Sequence, residues 1–505
     1  MMKRVLIALC ALTATVAAQT TTTSKVREWR TQHEKEILTE LFTFLAIPNV
    51  ATDKNNIQKN ADALTRMFEK RRFAPEVVPT KGTPVVLAER RMPNVRRTIT
   101  FYFHYDGQPV NASEWIYEPP FKPVIVAEHS DSEQGRTITL ETWKDAIDPN
   151  WRVYGRSSSD DKSPIVALLA AVQALDEANV PLTSNIRVIM EGEEEAGSPN
   201  LEEAVRAHAD RIRADALILV DGPRHASDRV TLNFGGRGMM NVVVIVYGPA
   251  RDLHSGNYGN WAPNPALQLS RLLASMKDDN GRVLVDGFYD DVKPLTEEEK
   301  KAIDEIPDVS ATLMKTYGFS KPETNDRLEL RHNLPTLNIN AMEAGGGVTG
   351  QGRTIIPAWA KARLDLRFVK NVEPDKQYDR LVAHIRKQGF FIVDREPDAQ
   401  TRASHALLAS VVREGGYPAG RTPLDTPIAR AITKAVADAA GGPIVRQPTI
   451  GGSVPFYLFS DVLKVPTIGL SMVNFDNNQH GPNENVKIKN IWDGIETMAA
   501  ILTMQ

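Results

Sequence analysis

Cysteine is almost missing from this chain: Cys10 is the only one among 505 residues. It lies in the apolar run "VLIALCALTATVAA", directly behind the basic start "MMKR". A basic start, a short apolar core and small residues at Val16-Ala17-Ala18 predict an export signal peptide over residues 1–18, and hence a periplasmic or secreted protein. Leu9, just before the cysteine, is too large for a lipoprotein site. Cleavage would leave a chain with no disulfide and no thiolate, so any transition metal must be held by histidine and carboxylate. Long apolar runs are also lacking. This one is too short to cross a bilayer, so no membrane span is expected after cleavage. Nor is there an excess of charge of one sign: a net −3 gives no reason to expect nucleic acid or an anionic membrane as partner.

What is present has the texture of a soluble chain of two or three domains, 42% hydrophobic and 24% charged. Apolar runs at "TITFYF" (98–103), "NIRVIM" (185–190), "ALILV" (216–220) and "VPTIGLSM" (465–472) alternate with helical patterns. That alternation predicts an α/β domain with a mostly parallel sheet. Ser163 and Pro164 stand where a cap and a first helical residue would open the helix "SPIVALLAAVQALDEA". Between 229 and 400 the texture changes. "MMNVVVIVYG", "PTLNINAM", "AKARLDLRFV" and "FFIVD" are expected strands, with "VTLNF" ahead of them. "NPALQLSRLLASM" and "DKQYDRLVAHIRKQG" are expected helices. The layout is β-α-β-β-α-β, a ferredoxin-like α+β sandwich, with the charged segment 290–333 an excursion inside it. The expected organisation is therefore a signal over 1–18, a first part of the larger domain over 19–228, an inserted domain over 229–400 and a second part of the larger domain over 401–505.

Each strand of the first kind is followed by polar residues. His104 and Asp106 follow the first, "EGEEEAGS" the second, Asp221 the third, and "VNFDNNQHGPNEN" with His480 the fourth. Asp160 and Asp161 feed the start of the capped helix. Ligands in open parallel sheets bind at the carboxyl ends of the strands, so five segments deliver histidine or carboxylate to one rim. Imidazole and carboxylate without thiolate suit Zn²⁺, and also Mn²⁺ or Co²⁺. Two histidines and three carboxylates suffice for two ions that share a carboxylate and a water. Charge agrees: two divalent ions are balanced by three carboxylates and one hydroxide, leaving a spare carboxylate as general base.

"HYDGQPV", "GRSSSDDKSP", "EGEEEAGS", "VDG", "DLHSGNYGN", "GQGRTIIP", "LDLRFV", "GGSVP" and "QHGPNEN" occur in this order along the chain. The set resembles the di-zinc metallopeptidase family of carnosinases, glutamate carboxypeptidases and aminoacylases, on its dipeptidase side. The resemblance implies a catalytic domain carrying an inserted lid and dimerisation domain. It implies His104, Glu195, Asp221 and His480 as terminal ligands of two metal ions and Asp160 as the bridge. Asp106 would orient His104, and Glu194 would move the proton from a metal-bridging water to the leaving amine. Arg367, with Ser453 and the Gly452 backbone, would grip a substrate carboxylate, and His254 would reach the active site of the other subunit of a homodimer to hold the scissile carbonyl oxygen. Gly107 and Ser163 depart from the usual family residues. Asp161 is expected as a helix-start acid and Glu193 as a solvated neighbour. Histidines 33, 129, 208, 225, 332, 384 and 405 are expected at the surface or in packing.

The implied reaction is hydrolysis of a dipeptide or short peptide with a free C-terminal carboxylate. The alternative substrate for the same mechanism is an N-acyl amino acid. An inactive binding module is disfavoured by the complete ligand set with Glu194. A serine hydrolase on Ser157–Ser159 is disfavoured by the lack of a G-x-S-x-G elbow.

Overall fold

A computed structural model describes residues 2–128, 134–346 and 353–505, with side chains from residue 22 onward. The side chains of the expected signal peptide, Cys10 among them, lie outside the described residues, as do His129 and residues 350–352 of "GQGRTIIP". Residues Met2–Leu45 form one helix, and no helix among the described residues is long and apolar enough to cross a membrane.

An eight-stranded sheet runs in the order 74–78, 85–90, 185–191, 98–104, 216–219, 467–471, 231–233, 445–447. Four neighbouring strands in its middle, 185–191, 98–104, 216–219 and 467–471, are parallel. The flanking pairings at 85–90 and 231–233 are antiparallel, so the sheet is mixed rather than mostly parallel. Alternation along "TITFYF" sends Phe101 and Phe103 to one face and Tyr102 to the other. Phe101 and Phe103 pack under the helices Lys162–Glu177 and Ile488–Leu502. Tyr102 packs with Leu201, Val205 and Phe459.

Helix Lys162–Glu177 starts earlier than the Ser163–Pro164 pair implies, with Asp161 at its N-cap position. The Lys162 amide already bonds the Ser157 carbonyl, and its buried ammonium donates to the carbonyls of Phe44 and Ile47. Ser163 caps nothing; its hydroxyl is buried without a hydrogen-bond partner among the described residues.

A second sheet of five strands runs in the order 336–344, 359–368, 238–247, 408–417, 391–392. Its first four strands have the ferredoxin-like arrangement, but the fourth is Leu408–Tyr417, not "FFIVD". Its buried half and exposed half alternate less clearly than a short apolar run, and "FFIVD" contributes only a two-residue edge strand at Phe391–Ile392. At the other end, "VTLNF" belongs to the eight-stranded sheet, where Thr231–Asn233 pairs with Thr467–Ser471. The boundaries at 229 and 400 thus split two strands from their sheets. The excursion 290–333 also leaves its expected place: Arg421, Arg430 and Arg446 pair with Glu299, Glu298 and Glu305, which ties it to the eight-stranded body.

Candidate metal centre

Register sets the rim. His104 lies opposite Glu191, and Tyr102 opposite Leu219, so Asp221 comes level with His104 two residues further on. A small four-stranded sheet pairs Arg152–Tyr154 with Asn485–Lys487 and so brings the segments carrying Asp160 and His480 together. Two groups of ligand atoms result. His104, Asp160 and Asp221 offer atoms within 4.8 Å of one another, and so do Asp160, Glu195 and His480. Asp160 belongs to both, with His104 Nε2 2.6 Å from its Oδ1 and His480 Nε2 3.2 Å from its Oδ2. His480 Nε2 is 3.3 Å from Glu195 Oε2. All five residues that the resemblance nominated as ligands meet here.

Asp106 stands behind them. Its backbone carbonyl accepts from His104 Nδ1 at 3.2 Å, with its carboxylate at 3.4 Å. That carboxylate also accepts the amides of Glu194 and Glu195, each at 3.1 Å. It therefore orients one ligand ring and anchors the turn that presents two glutamates.

The electrostatics of this cluster call for cations. Burial pushes the Asp221 carboxyl up to about 6 and the Glu195 carboxyl up to about 8, and the charge of Asp160 adds to both. Burial likewise holds Glu194 well above the usual range, with Asp221, Asp160 and Glu195 adding to it. His104 is held well above its ordinary value because Asp160, Asp106 and Glu194 outweigh its burial. Carboxylates crowded together out of water repel one another, and divalent ions among them remove that cost. The donor set, nitrogen and oxygen only, fits such ions.

The neighbouring acids have other work. Glu193 is buried rather than solvated, accepting from the Thr83 amide at 3.1 Å and from Asn200 at 2.5 Å. Asp161 caps no helix amide; it accepts from the His104 amide at 3.4 Å.

A cavity of about 700 Å³ opens from Asp160, Glu194, Asp221 and His480 toward Arg367, Gly452 and Ser453. Arg367 Nη1 donates to Ser453 Oγ at 2.7 Å, and Asp365 holds its Nε at 3.0 Å. His254 does not line this cavity. It is exposed at the end of the two-residue strand Leu253–His254, and its Nδ1 accepts the Gly256 amide.

Several residues at the site escaped the sequence reading. Gln479 donates to Asp160 Oδ2 at 2.6 Å, and Gln108 to Glu195 Oε2 at 2.7 Å. Glu484 is fully buried and accepts from Arg156, from the amides of Ser157, Ser159 and Asp160, and from the Ser159 hydroxyl. Its place in "NEN", four residues after His480, was the available signal. His225 and His332 line the cavity rather than serving remote packing.

Known proteins resemble this chain in sequence and fold. The model of peptidase family M20/M25/M40 matches residues 100–504. A Cys-Gly metallodipeptidase of Candida albicans is 27% identical over 91% of this chain and 92% of its own. A human Beta-Ala-His dipeptidase is 26% identical over 83% of this chain and 76% of its own. Among solved structures, an M20 family metallo-carboxypeptidase of Sulfolobus solfataricus is 29% identical with a TM-score of 0.76, covering 93% of this chain and 99% of that one. Human carnosine dipeptidase 1, 23% identical with a TM-score of 0.74 over 95% and 98% of the two chains, shares the fold. With this match over most of its length and a cluster of nitrogen and oxygen donors fit for metal at its rim, the chain is a metallopeptidase belonging to peptidase family M20/M25/M40.

Proposed function

We propose that the protein hydrolyses dipeptides or short peptides carrying a free C-terminal carboxylate, using two divalent cations, zinc by preference. His104, Asp160 and Asp221 would hold one, and Asp160, Glu195 and His480 the other. Such cations supply a Lewis acid for the scissile carbonyl and lower the pKa of water.

The chain's own residues do the rest. Glu194 sits at the cluster without being one of the five ligands, so its carboxylate takes a proton from the attacking water and returns it to the leaving nitrogen. Arg367 and Ser453 receive the substrate carboxylate, the guanidinium held in place by Asp365. His254, exposed outside its own cavity, acts on the oxyanion in the cavity of a second copy. Residues 1–18 direct export.

The observation that carries this reading is one cavity joining the metal cluster and Glu194 to the Arg367–Ser453 pair. The activities that two relatives are named for, Cys-Gly and Beta-Ala-His dipeptidase, agree with a dipeptide as substrate. The test is turnover of metal-loaded protein on dipeptides, on their C-terminal amides and on N-acetyl amino acids, with metal stoichiometry measured on the same sample. Dipeptides should be cleaved and their amides roughly 100-fold more slowly, since the amide leaves the guanidinium unpaired. Turnover of N-acetyl amino acids alone would replace this reading with an amidohydrolase.

A further inference from the structure

The cavity does not end at the Arg367–Ser453 pair. Beyond Gly452 it is walled by the segment 309–332, where Val309, Leu313 and Tyr317 stand four residues apart along the helix Ser310–Tyr317 and its approach. Leu328 completes the apolar side. At the base stands His332, whose ring has no hydrogen-bond partner among the described residues. Its Nδ1 is buried, and its Nε2 is the ring's other polar atom.

Two features hold that Nε2 open and in place. Gly451 faces it: a Cβ there would come within 2.7 Å of Nε2. Arg237 fixes the backbone, donating to the carbonyls of His332, Arg331 and Leu334, while its own amide donates to Gly452 at 3.2 Å. The imidazole is thereby tied to the loop that carries Ser453. Burial and the Arg237 guanidinium push the His332 imidazolium down to about 4, so the ring is neutral near pH 7.

We propose that His332 and the wall 309–328 form the subsite for the side chain of the substrate's carboxyl-terminal residue, selecting one that is apolar along its length and ends in an uncharged hydroxyl. A neutral imidazole presents either a donor or an acceptor at Nε2, depending on its tautomer, and a hydroxyl satisfies both. The apolar wall covers the body of the side chain. Tyrosine is the type case and phenylalanine its isostere without the polar tip. The subsite rests on the reading above in one respect, that the substrate carboxylate lies at Arg367 and Ser453.

The experiment compares kcat/KM for Gly-Tyr and Gly-Phe with metal-loaded wild type, His332→Leu and Gly451→Ala. Wild type should favour Gly-Tyr about tenfold or more, because a site built for a hydroxyl is left unpaired by its absence. Both variants should bring the ratio within about threefold of unity, one by removing the imidazole and the other by covering its Nε2. Gly451→Ala keeps the histidine, so a folding failure of His332→Leu does not decide the matter. A wild-type ratio near one, or a tenfold ratio that survives in a folded variant, overturns the subsite. If only N-acetyl amino acids are cleaved, the same ratio is read on N-acetyl-Tyr and N-acetyl-Phe; the dipeptide reading then fails and the subsite is still judged. Cleavage of none of the four overturns both.

Discussion

Glu484 accepts the backbone N–H of Asp160 at 3.0 Å, although 324 residues separate the two in sequence. The same carboxylate gathers four more donors from Arg156, Ser157 and Ser159. It therefore shapes the turn from which the shared ligand projects. Glu484→Gln replaces one acceptor oxygen with a donor facing N–H groups, and removes the charge that pairs with Arg156. Apparent metal affinity should fall about 10- to 100-fold, as for other supporting partners of ligands. Titration against a competing chelator measures it, and an affinity within about twofold of wild type would show that the turn holds itself.

Glu194 and the five ligands should separate cleanly. Glu194→Gln removes the base but no ligand, so metal content should match wild type while kcat falls by about 100-fold or more. His104→Ala and Asp160→Ala should lose metal as well as turnover. Elemental analysis beside kinetics distinguishes the cases. Near-normal kcat in Glu194→Gln would end its role as proton carrier.

The loop after Asp221 depends on an ion pair that titrates. Arg224, buried, donates to Asp493 at 2.7 Å. Burial works against the Asp493 carboxylate, but Arg224 and Lys489 overcome it and hold the group below its ordinary value. Its contribution to stability is therefore present above the unfolded value, about pH 4, and lost as pH falls through the folded one. Asp493→Asn should cost roughly 2 kcal/mol or more at pH 7, since it leaves a buried guanidinium without its carboxylate. The gap should close toward pH 3. Unfolding midpoints of both proteins across that range test the sign, and a constant gap would contradict it.

His254 in one copy is expected to serve Glu194 in another. Glu194→Gln and His254→Ala homodimers should each be nearly inactive. Mixed under subunit exchange, they should recover roughly a quarter of wild-type activity, because half of the dimers then carry one intact site of two. No recovery in a mixture shown to exchange would confine His254 to its own chain.

Much of the metal centre was legible because strand ends are local. Two apolar runs lead straight into ligands, His104 and Asp221, and the parallel middle of the sheet brings those ends level, while Glu195 and His480 follow theirs in the next turns. What stayed hidden depended on distant partners. The burial of Glu193 comes from Thr83 and Asn200, and the work of Glu484 from a turn far upstream. Helix Lys162–Glu177 starts where the Ser157 carbonyl and the Phe44 segment meet Lys162, which no capping pattern records. The strand Leu408–Tyr417 is buried at its start and largely exposed beyond, so its alternation is weak, while the shorter "FFIVD" looked stronger. His332 has no pattern of its own; a cavity makes it notable.

The chain leaves the eight-stranded body and returns to it through two adjacent threads, Gly235–Gly236 lying antiparallel to Gly420–Arg421. The glycines leave no room for side chains of their own, since a Cβ on Gly235 would come 2.9 Å from the Gly420 carbonyl. Exit and entry side by side make the intervening block a graftable cassette: a splice of a few residues would close the gap it leaves, and a foreign block with equally close ends could be seated in its stead.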